Sequence, residues 1–325
     1  MNDLEEKGYL DIKFDSNIDF IKEINELKKQ KNAIILAHYY QTGDIQDIAD
    51  FIGDSLQLSQ KAADNNADII LFAGVHFMAE TAKMLSPQKK VLIPDLKAGC
   101  SLADSIKAED FIKFKANYPD HVVVSYVNTT AEIKALSDVV CTSSNAIKIV
   151  ESFSKDQKII FTPDKNLGNY INSKTGRNMV IWDGACHVHE QFSLEKILEL
   201  KKQNSDAKII AHPECKKPIL IISDFIGSTA ALLDFVSKDN ATKFIVATES
   251  GIIHQMQKNC PDKVFIPAPP IDSTCGCNDC NFMKLNTLKK IYIALKFEQP
   301  EILLSDEIIN KAVIPIRRML KISGK

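Results

Sequence analysis

The sequence predicts an α/β protein made of three pseudo-threefold-related αβα three-layer domains, each with a four-stranded parallel sheet, around a central cavity. Three observations carry that prediction. Four kinds of segment recur in the same order three times, at an interval of roughly 84 to 89 residues. The recurring strands are continuous apolar runs separated by amphipathic stretches, the pattern of parallel sheets covered on both faces by helices. Polar residues close the first strand of each repeat, and parallel α/β sheets place ligands beyond the carboxyl ends of their strands.

The elements follow in order. The stretch before Asn32 reads as an opening helix. The first recurring strand is Ile34–Tyr40, then Val122–Asn128, then Ile209–Glu214, which aligns His38, Tyr126 and His212 and, two residues later, Tyr40, Asn128 and Glu214. The second segment starts with aspartate each time, at Asp50, Asp138 and Asp224. The third is a short apolar strand (Ile69–Ala73, Ile159–Thr162, Phe244–Ala247) and the fourth another (Val91–Pro94, Met179–Trp182, Val264–Pro267). Between them, Leu56–Ala63 and Ala146–Phe153 space their apolar residues three or four apart, as helices packed on a sheet do. Residues 299–325 read as closing helices. The division is therefore 1–106 with the opening helix, 107–191, and 192–325 with the closing helices.

Composition fits a globular protein: 45% of the 325 residues are hydrophobic and 25% charged. A net charge of −2 argues against a generic nucleic-acid or membrane-binding surface. The start, Met1 to Lys7, is acidic and lacks a basic-then-apolar leader pattern, and no apolar run approaches the roughly 20 residues of a membrane helix. A cytoplasmic location is expected. The eight cysteines are then expected to be thiols, not a disulfide framework. Cys215 and Cys260 read as small buried apolar residues.

A loop follows the fourth strand of each repeat, and each loop carries cysteine: Cys100 after Gly99, Cys186 after Ala185, and the run Cys275-Gly276-Cys277-Asn278-Asp279-Cys280. Strand ends aimed at one axis bring one thiol per repeat to one centre, and thiolates are soft ligands suited to iron–sulfur clusters and zinc. Four protein ligands are usual for a structural cubane or zinc site. Three ligands leave one iron open as a Lewis acid, which favours elimination chemistry over electron transfer. Taken singly, Cys100 and Cys186 are more often packing residues, and the C-x-C-x-x-C run also suits zinc or a redox pair of Cys277 and Cys280. An electron carrier or a zinc-stabilised binding protein is the competing reading. Spacing alone does not choose among Cys275, Cys277 and Cys280.

Asp54-Ser55, Thr142-Ser143 and Ser228-Thr229 follow short strands and open helices, where backbone N–H groups and hydroxyls bind carboxylate or phosphate. Ordinary helix capping explains any one of them alone. His38, Tyr40, His212 and Glu214 are placed to orient a substrate or move protons. His189, three residues after Cys186, is within reach of the same centre, whereas His76, His121 and His254 read as structural or surface groups.

The strings Ala37-His38-Tyr39-Tyr40-Gln41, Asp47 to Ser55, Tyr126 to Glu132, Cys141 to Ala146, His212-Pro213-Glu214-Cys215, Gly227-Ser228-Thr229 and Cys280 to Asn286 resemble the quinolinate synthase family over almost the whole chain. The resemblance implies a pseudo-threefold fold with a [4Fe–4S] cluster on Cys100, Cys186 and Cys280. It implies condensation of iminoaspartate with dihydroxyacetone phosphate, losing phosphate and water, to give quinolinate for NAD synthesis. It also implies an aspartate oxidase or dehydrogenase as the source of iminoaspartate. Carried over by motif, Tyr40, His212 and Glu214 form the proton-transfer group. His38, Asp54, Ser55, Tyr126, Asn128, Ser143, His189, Ser228 and Thr229 line the substrate cavity.

Overall fold

The computed structural model describes residues 2–14, 17–272 and 278–324. Among the described residues twelve strands form three four-stranded sheets, and every strand pairing within them is parallel. The first holds β1 (Ala33–His38), β2 (Phe51–Gly53), β3 (Ile69–Ala73) and β4 (Lys90–Leu92). The second holds β5 (Val122–Tyr126), β6 (Val139–Cys141), β7 (Ile159–Thr162) and β8 (Val180–Ile181). The third holds β9 (Lys208–Ala211), β10 (Phe225–Ile226), β11 (Lys243–Ala247) and β12 (Val264–Pro267). All three have one order, with the second strand at one edge, then the first, third and fourth: β2-β1-β3-β4, β6-β5-β7-β8 and β10-β9-β11-β12.

The central strands explain why these runs are apolar throughout. Every residue of β3 and of β7 is buried, as are all of β9 and β11 but their first residues, because helices cover both faces. The aspartate that opens each second segment serves the sheet. Asp50, Asp138 and Asp224 accept from the amides of Ile35 (2.8 Å), Val123 (2.7 Å) and Ile209 (2.7 Å). Each also donates its own amide back to the same residue's carbonyl. That reciprocal pair satisfies two backbone groups at the edge where the second strand joins, so the repeated aspartate is a folding signal and not a site residue.

The opening helix, Phe20–Gln30, is capped by Asp19, whose side chain accepts from the Lys22 amide at 3.1 Å. It packs with the helix Leu288–Phe297 over the first sheet. The closing region contains one helix, Asp306–Ser323, capped by Ser305. Its buried stripe, Ile309, Ala312, Val313, Ile316 and Met319, has helical spacing and faces the helices His76–Leu85, Ala131–Ala135 and Ala146–Glu151. This helix thereby seals helices of the first and second sheets together, and each large apolar side chain so buried contributes about 1.5–3 kcal/mol. No helix among the described residues is long and apolar enough to cross a membrane.

Candidate active site

The carboxyl ends of the first strands meet at one cavity. His38, Tyr126 and His212 line it, as do Tyr40, Asn128 and Glu214 two residues further on. His38 and His212 are held by the same local device. The amide of Tyr40 donates to His38 Nδ1 at 3.2 Å, and that of Glu214 donates to His212 Nδ1 at 3.4 Å. Nδ1 being an acceptor, the proton of each neutral ring sits on Nε2, and His212 Nε2 lies 3.1 Å from Ser143 Oγ. Burial pushes both imidazoles down to about 3, helped for His38 by the nearby His212, so both rings are neutral near pH 7.

Glu214 lies at the centre. The Tyr126 hydroxyl donates to its Oε1 at 2.5 Å, and His189 Nδ1 lies 3.1 Å from its Oε2. Burial alone would raise this carboxyl, but His189, His212 and the Tyr126 hydroxyl together hold it low and ionised. Burial, and then the Glu214 charge, push both Tyr40 and Tyr126 well above the usual phenol value. Across the cavity Tyr40 Oη lies 2.7 Å from Thr248 Oγ1, which is itself 3.0 Å from His189 Nε2. Tyr126, Glu214, His189, Thr248 and Tyr40 thus form one chain of close polar contacts. Asn128 Oδ1 is buried with no hydrogen-bond partner, an acceptor left for a ligand.

The segments expected to open helices divide their work. Asp54 Oδ1 caps the helix Ser55–Ala63, accepting from Leu56 (3.1 Å) and Gln57 (3.0 Å), while Oδ2 accepts from Ser144 Oγ at 2.5 Å. Ser144 Oγ also lies 2.8 Å from Ser228 Oγ, which is left to donate to it, so one serine joins all three repeats. Asp54, Ser55, Ser143 and Thr229 line the cavity, whereas Ser228 is not among the lining residues. Its hydroxyl accepts from the Ala231 amide, capping the helix Thr229–Lys238. The second repeat departs from the expectation in another way. Asn145, not Thr142 or Ser143, precedes the helix, and its Oδ1 accepts from the Thr142 amide, which leaves Ser143 free to face His212.

Cys100, Cys186 and Cys280 all line the same cavity. Each stands immediately before a turn of helix: Ser101–Asp104, His187–Glu190, and the turn in which Lys284 donates to the Cys280 carbonyl. Backbone amides of those turns approach the sulfurs, from Ala103 and Leu102, from His189, and from Met283 and Phe282. Burial outweighs them, pushing Cys100 up to about 12, Cys280 to about 11, and Cys186 well up. The three are close enough that Cys100 feels charge on Cys280, and Cys186 feels charge on both. Gly184 lets the Cys186 loop close in, since a Cβ there would meet Ser105 Oγ at 2.4 Å and the Pro163 carbonyl at 2.6 Å. Cys275 and Cys277, and with them the suggested Cys277–Cys280 pair, lie outside the described residues. Cys215 is fully buried with its thiol against the Ala247 carbonyl, and Cys260 is half-buried at a helix end; neither lines the cavity.

The family model for quinolinate synthetase A protein matches residues 22–321 of the chain. The chain belongs to that family. Curated relatives named quinolinate synthase include one from Microcystis aeruginosa, 60% identical over 305 residues, covering 94% of this chain and 95% of the relative. One from Trichormus variabilis is 60% identical with 94% of each chain covered, and one from Thermosynechococcus vestitus is 58% identical with 94% and 96% covered.

Cys186, His189 and Glu214 also place one ligand atom each within 4.8 Å of one another, a group able to hold a metal ion. Several lining residues were not singled out from the sequence: Val75, Phe77, Met78, Phe282 and Met283 form an apolar wall, with Ser101, His187 and Glu249 among them. Ser101 Oγ lies 2.8 Å from His187 Nδ1, joining the loops that carry Cys100 and Cys186. For Glu249 a signal existed. It follows the carboxyl end of β11, a central strand beside β9, and such strand ends are where parallel α/β sheets place ligands.

Proposed function

We propose that this chain is a quinolinate synthase of NAD biosynthesis, condensing iminoaspartate with dihydroxyacetone phosphate and losing phosphate and water. The observation that supports this best is the convergence of one thiol from each repeat on a cavity that also holds the ionised Glu214 and its partners. The relatives of 58–60% identity bearing that name agree with it.

The residues suit a [4Fe–4S] cluster held by Cys100, Cys186 and Cys280. Three thiols withdrawn from water resist ionisation, so their joint presence in one wall makes physical sense when a soft cationic group takes their charge. When bound, such a cluster with three protein ligands supplies an open iron, a Lewis acid for hydroxyl or carboxylate oxygen. His38, Asn128, Ser143, Ser55 and Thr229 are assigned to substrate carboxylates and phosphate, with Tyr126 beside them. His189 is assigned to orient the substrate next to the cluster. Asp54 and Ser228 keep the wall in shape by capping and by the shared Ser144 contact.

Proton movement falls to Tyr40, His212 and Glu214. Ionised Glu214 takes a proton at Oε2 or Oε1, neutral His212 donates from Nε2, and Tyr40 delivers from its hydroxyl. The apolar wall of Phe77, Met78, Phe282 and Met283 excludes water from the reactive imine and carbonyl. Iminoaspartate hydrolyses in water, so an aspartate oxidase or dehydrogenase acting nearby is the proposed source. The division into units of residues 1–106, 107–191 and 192–325 is part of the same proposal, each unit contributing one thiol.

Anaerobic purification with iron and sulfide counting, followed by an assay for quinolinate from the two substrates, tests the reading. About four irons per chain, broad visible absorption and product are expected. A loaded cluster without product sinks the activity, and a colourless zinc protein sinks the cofactor.

A further inference from the structure

The ends of the third strands carry a second layer of the site. After β11 come Thr248 and Glu249, both buried. Glu249 Oε1 accepts from the Cys280 amide at 3.1 Å and lies 2.9 Å from Lys284 Nζ, while Oε2 accepts from the Gly251 amide at 2.7 Å. Lys284 Nζ also donates to the Tyr40 carbonyl at 2.8 Å. One carboxylate therefore joins the backbone of a thiol-bearing loop to the backbone of the turn that carries a cavity phenol.

The repeat offers an internal comparison. Ala73, Thr162 and Ala247 end β3, β7 and β11 opposite Ala37, Ser125 and Ala211, so Val75, Asp164 and Glu249 occupy equivalent places two residues on. Asp164 is completely buried, and its Oδ1 caps the helix Lys165–Thr175 by accepting from Leu167 at 2.7 Å. Its Oδ2 has no hydrogen-bond partner, and burial raises this carboxyl well above the usual range. Two repeats out of three thus bury an acidic side chain at this place, and the one in the third repeat meets the amide of the cysteine expected to ligate. In the first repeat the place is taken by Val75, with no polar group to offer.

Helix capping accounts for part of Asp164 but not for Glu249, which caps nothing and faces the cavity. A buried carboxylate is tolerated only where donors meet both oxygens, and removing one partner strands the others. Those donors here are the Cys280 amide and a lysine bound to the Tyr40 turn at one oxygen, and the Gly251 amide at the other.

We propose that Glu249 is a positioning residue that fixes Cys280 relative to Tyr40 through Lys284. The proposal rests on the quinolinate synthase reading with its three-thiol cluster.

The experiment compares anaerobically reconstituted native protein with Glu249→Leu, Glu249→Gln and Lys284→Met. The readouts are iron release to an iron(II) chelator, the electron paramagnetic resonance spectrum of the reduced cluster, and kcat and KM. Glu249→Leu is expected to release iron about tenfold faster and to shift the spectrum, the scale of a lost outer contact to a ligand. Glu249→Gln keeps an acceptor for the Cys280 amide and falls between the two. Lys284→Met is expected to lose about tenfold in kcat, with KM within about twofold and iron release near native. Native iron release and a native spectrum in a folded Glu249→Leu protein overturn the assignment. If the leucine variant does not fold, the same native result in Glu249→Gln overturns it. Native protein that takes up no cluster overturns the functional reading and this assignment together, whereas a loaded native protein with unaffected variants overturns this assignment alone.

Discussion

His189 and Glu214 lie 3.1 Å apart, Nδ1 to Oε2, with both side chains almost fully withdrawn from solvent. They come from different repeats, one from the loop after β8 and the other from the end of β9. The places equivalent to Glu214 hold Tyr40 and Asn128, neither of them a carboxylate, so the pseudo-threefold symmetry of the scaffold is broken where the acid–base chemistry is assigned. Glu214→Gln keeps the shape and the acceptor for Tyr126 but removes the base. A fall in kcat of at least about 100-fold is expected, with iron content unchanged. Single-turnover quinolinate formation beside iron counting checks it, and an active variant would move the base elsewhere.

Tyr40 and His189 share the hydroxyl of Thr248. Thr248→Ala removes that shared partner, whereas Thr248→Ser restores the hydroxyl. A tenfold loss in kcat with KM little changed is expected for the alanine variant, about 1.4 kcal/mol of transition-state stabilisation, with recovery in the serine variant. Equal losses in both variants would show that the methyl group matters and the hydroxyl does not.

Substituting Cys100, Cys186 or Cys280 by alanine is expected to abolish the cluster and the activity. Cys277→Ala is expected to keep both, and so is Cys215→Ala, whose thiol lies against the Ala247 carbonyl in the apolar core and does not line the cavity. Visible absorption after anaerobic reconstitution separates the two groups. An iron-free Cys277→Ala protein would transfer the third ligand position to Cys277.

Glu298 tests electrostatics far from the cavity. Hydrogen bonds from Lys31 and then Lys90 hold its carboxyl down to about 2, against an ordinary 4.5. A lowered folded-state value means that the stabilisation is complete above pH 4.5 and fades as pH falls toward 2. About a third of the Glu298 side chain stays in contact with screening solvent, so Glu298→Gln should lower the melting temperature at pH 7 by only about 1 to 3 °C. That gap should shrink by roughly half at pH 3. A gap of constant size from pH 7 to pH 3 would assign the loss to packing instead.

Much of the architecture was legible because the repeat made each strand visible three times. Ile69–Ala73 alone is a short apolar run that suits a strand or a buried helix, and its recurrence at Ile159 and Phe244 decides the matter. The polar residues at first-strand ends were legible for a physical reason: an apolar strand cannot end in His-Tyr-Tyr or His-Pro-Glu without somewhere polar to put them. Three things were not. Ser144 was passed over because a serine beside two others in a turn carries no mark of the long-range contacts it makes to Asp54 and Ser228. Thr248 and Glu249 are marked in the sequence only by following a strand end, since their partners Tyr40, His189 and Cys280 are distant in sequence. The apolar wall around Phe282 was hidden for the opposite reason, because lining residues and core residues have the same composition.

The helix Asp306–Ser323 has a consequence for how the molecule is made. Chains leave the ribosome N-terminus first, and early units begin to fold before later ones exist. The helices of the first and second sheets that this segment covers are synthesised long before it is. Until it is released, their apolar faces at His76–Leu85 and Ala131–Ala135 are bare. The nascent protein is therefore most exposed to chaperones and proteases late in its synthesis, and truncations that spare every cavity residue but remove this helix should leave an aggregation-prone polypeptide.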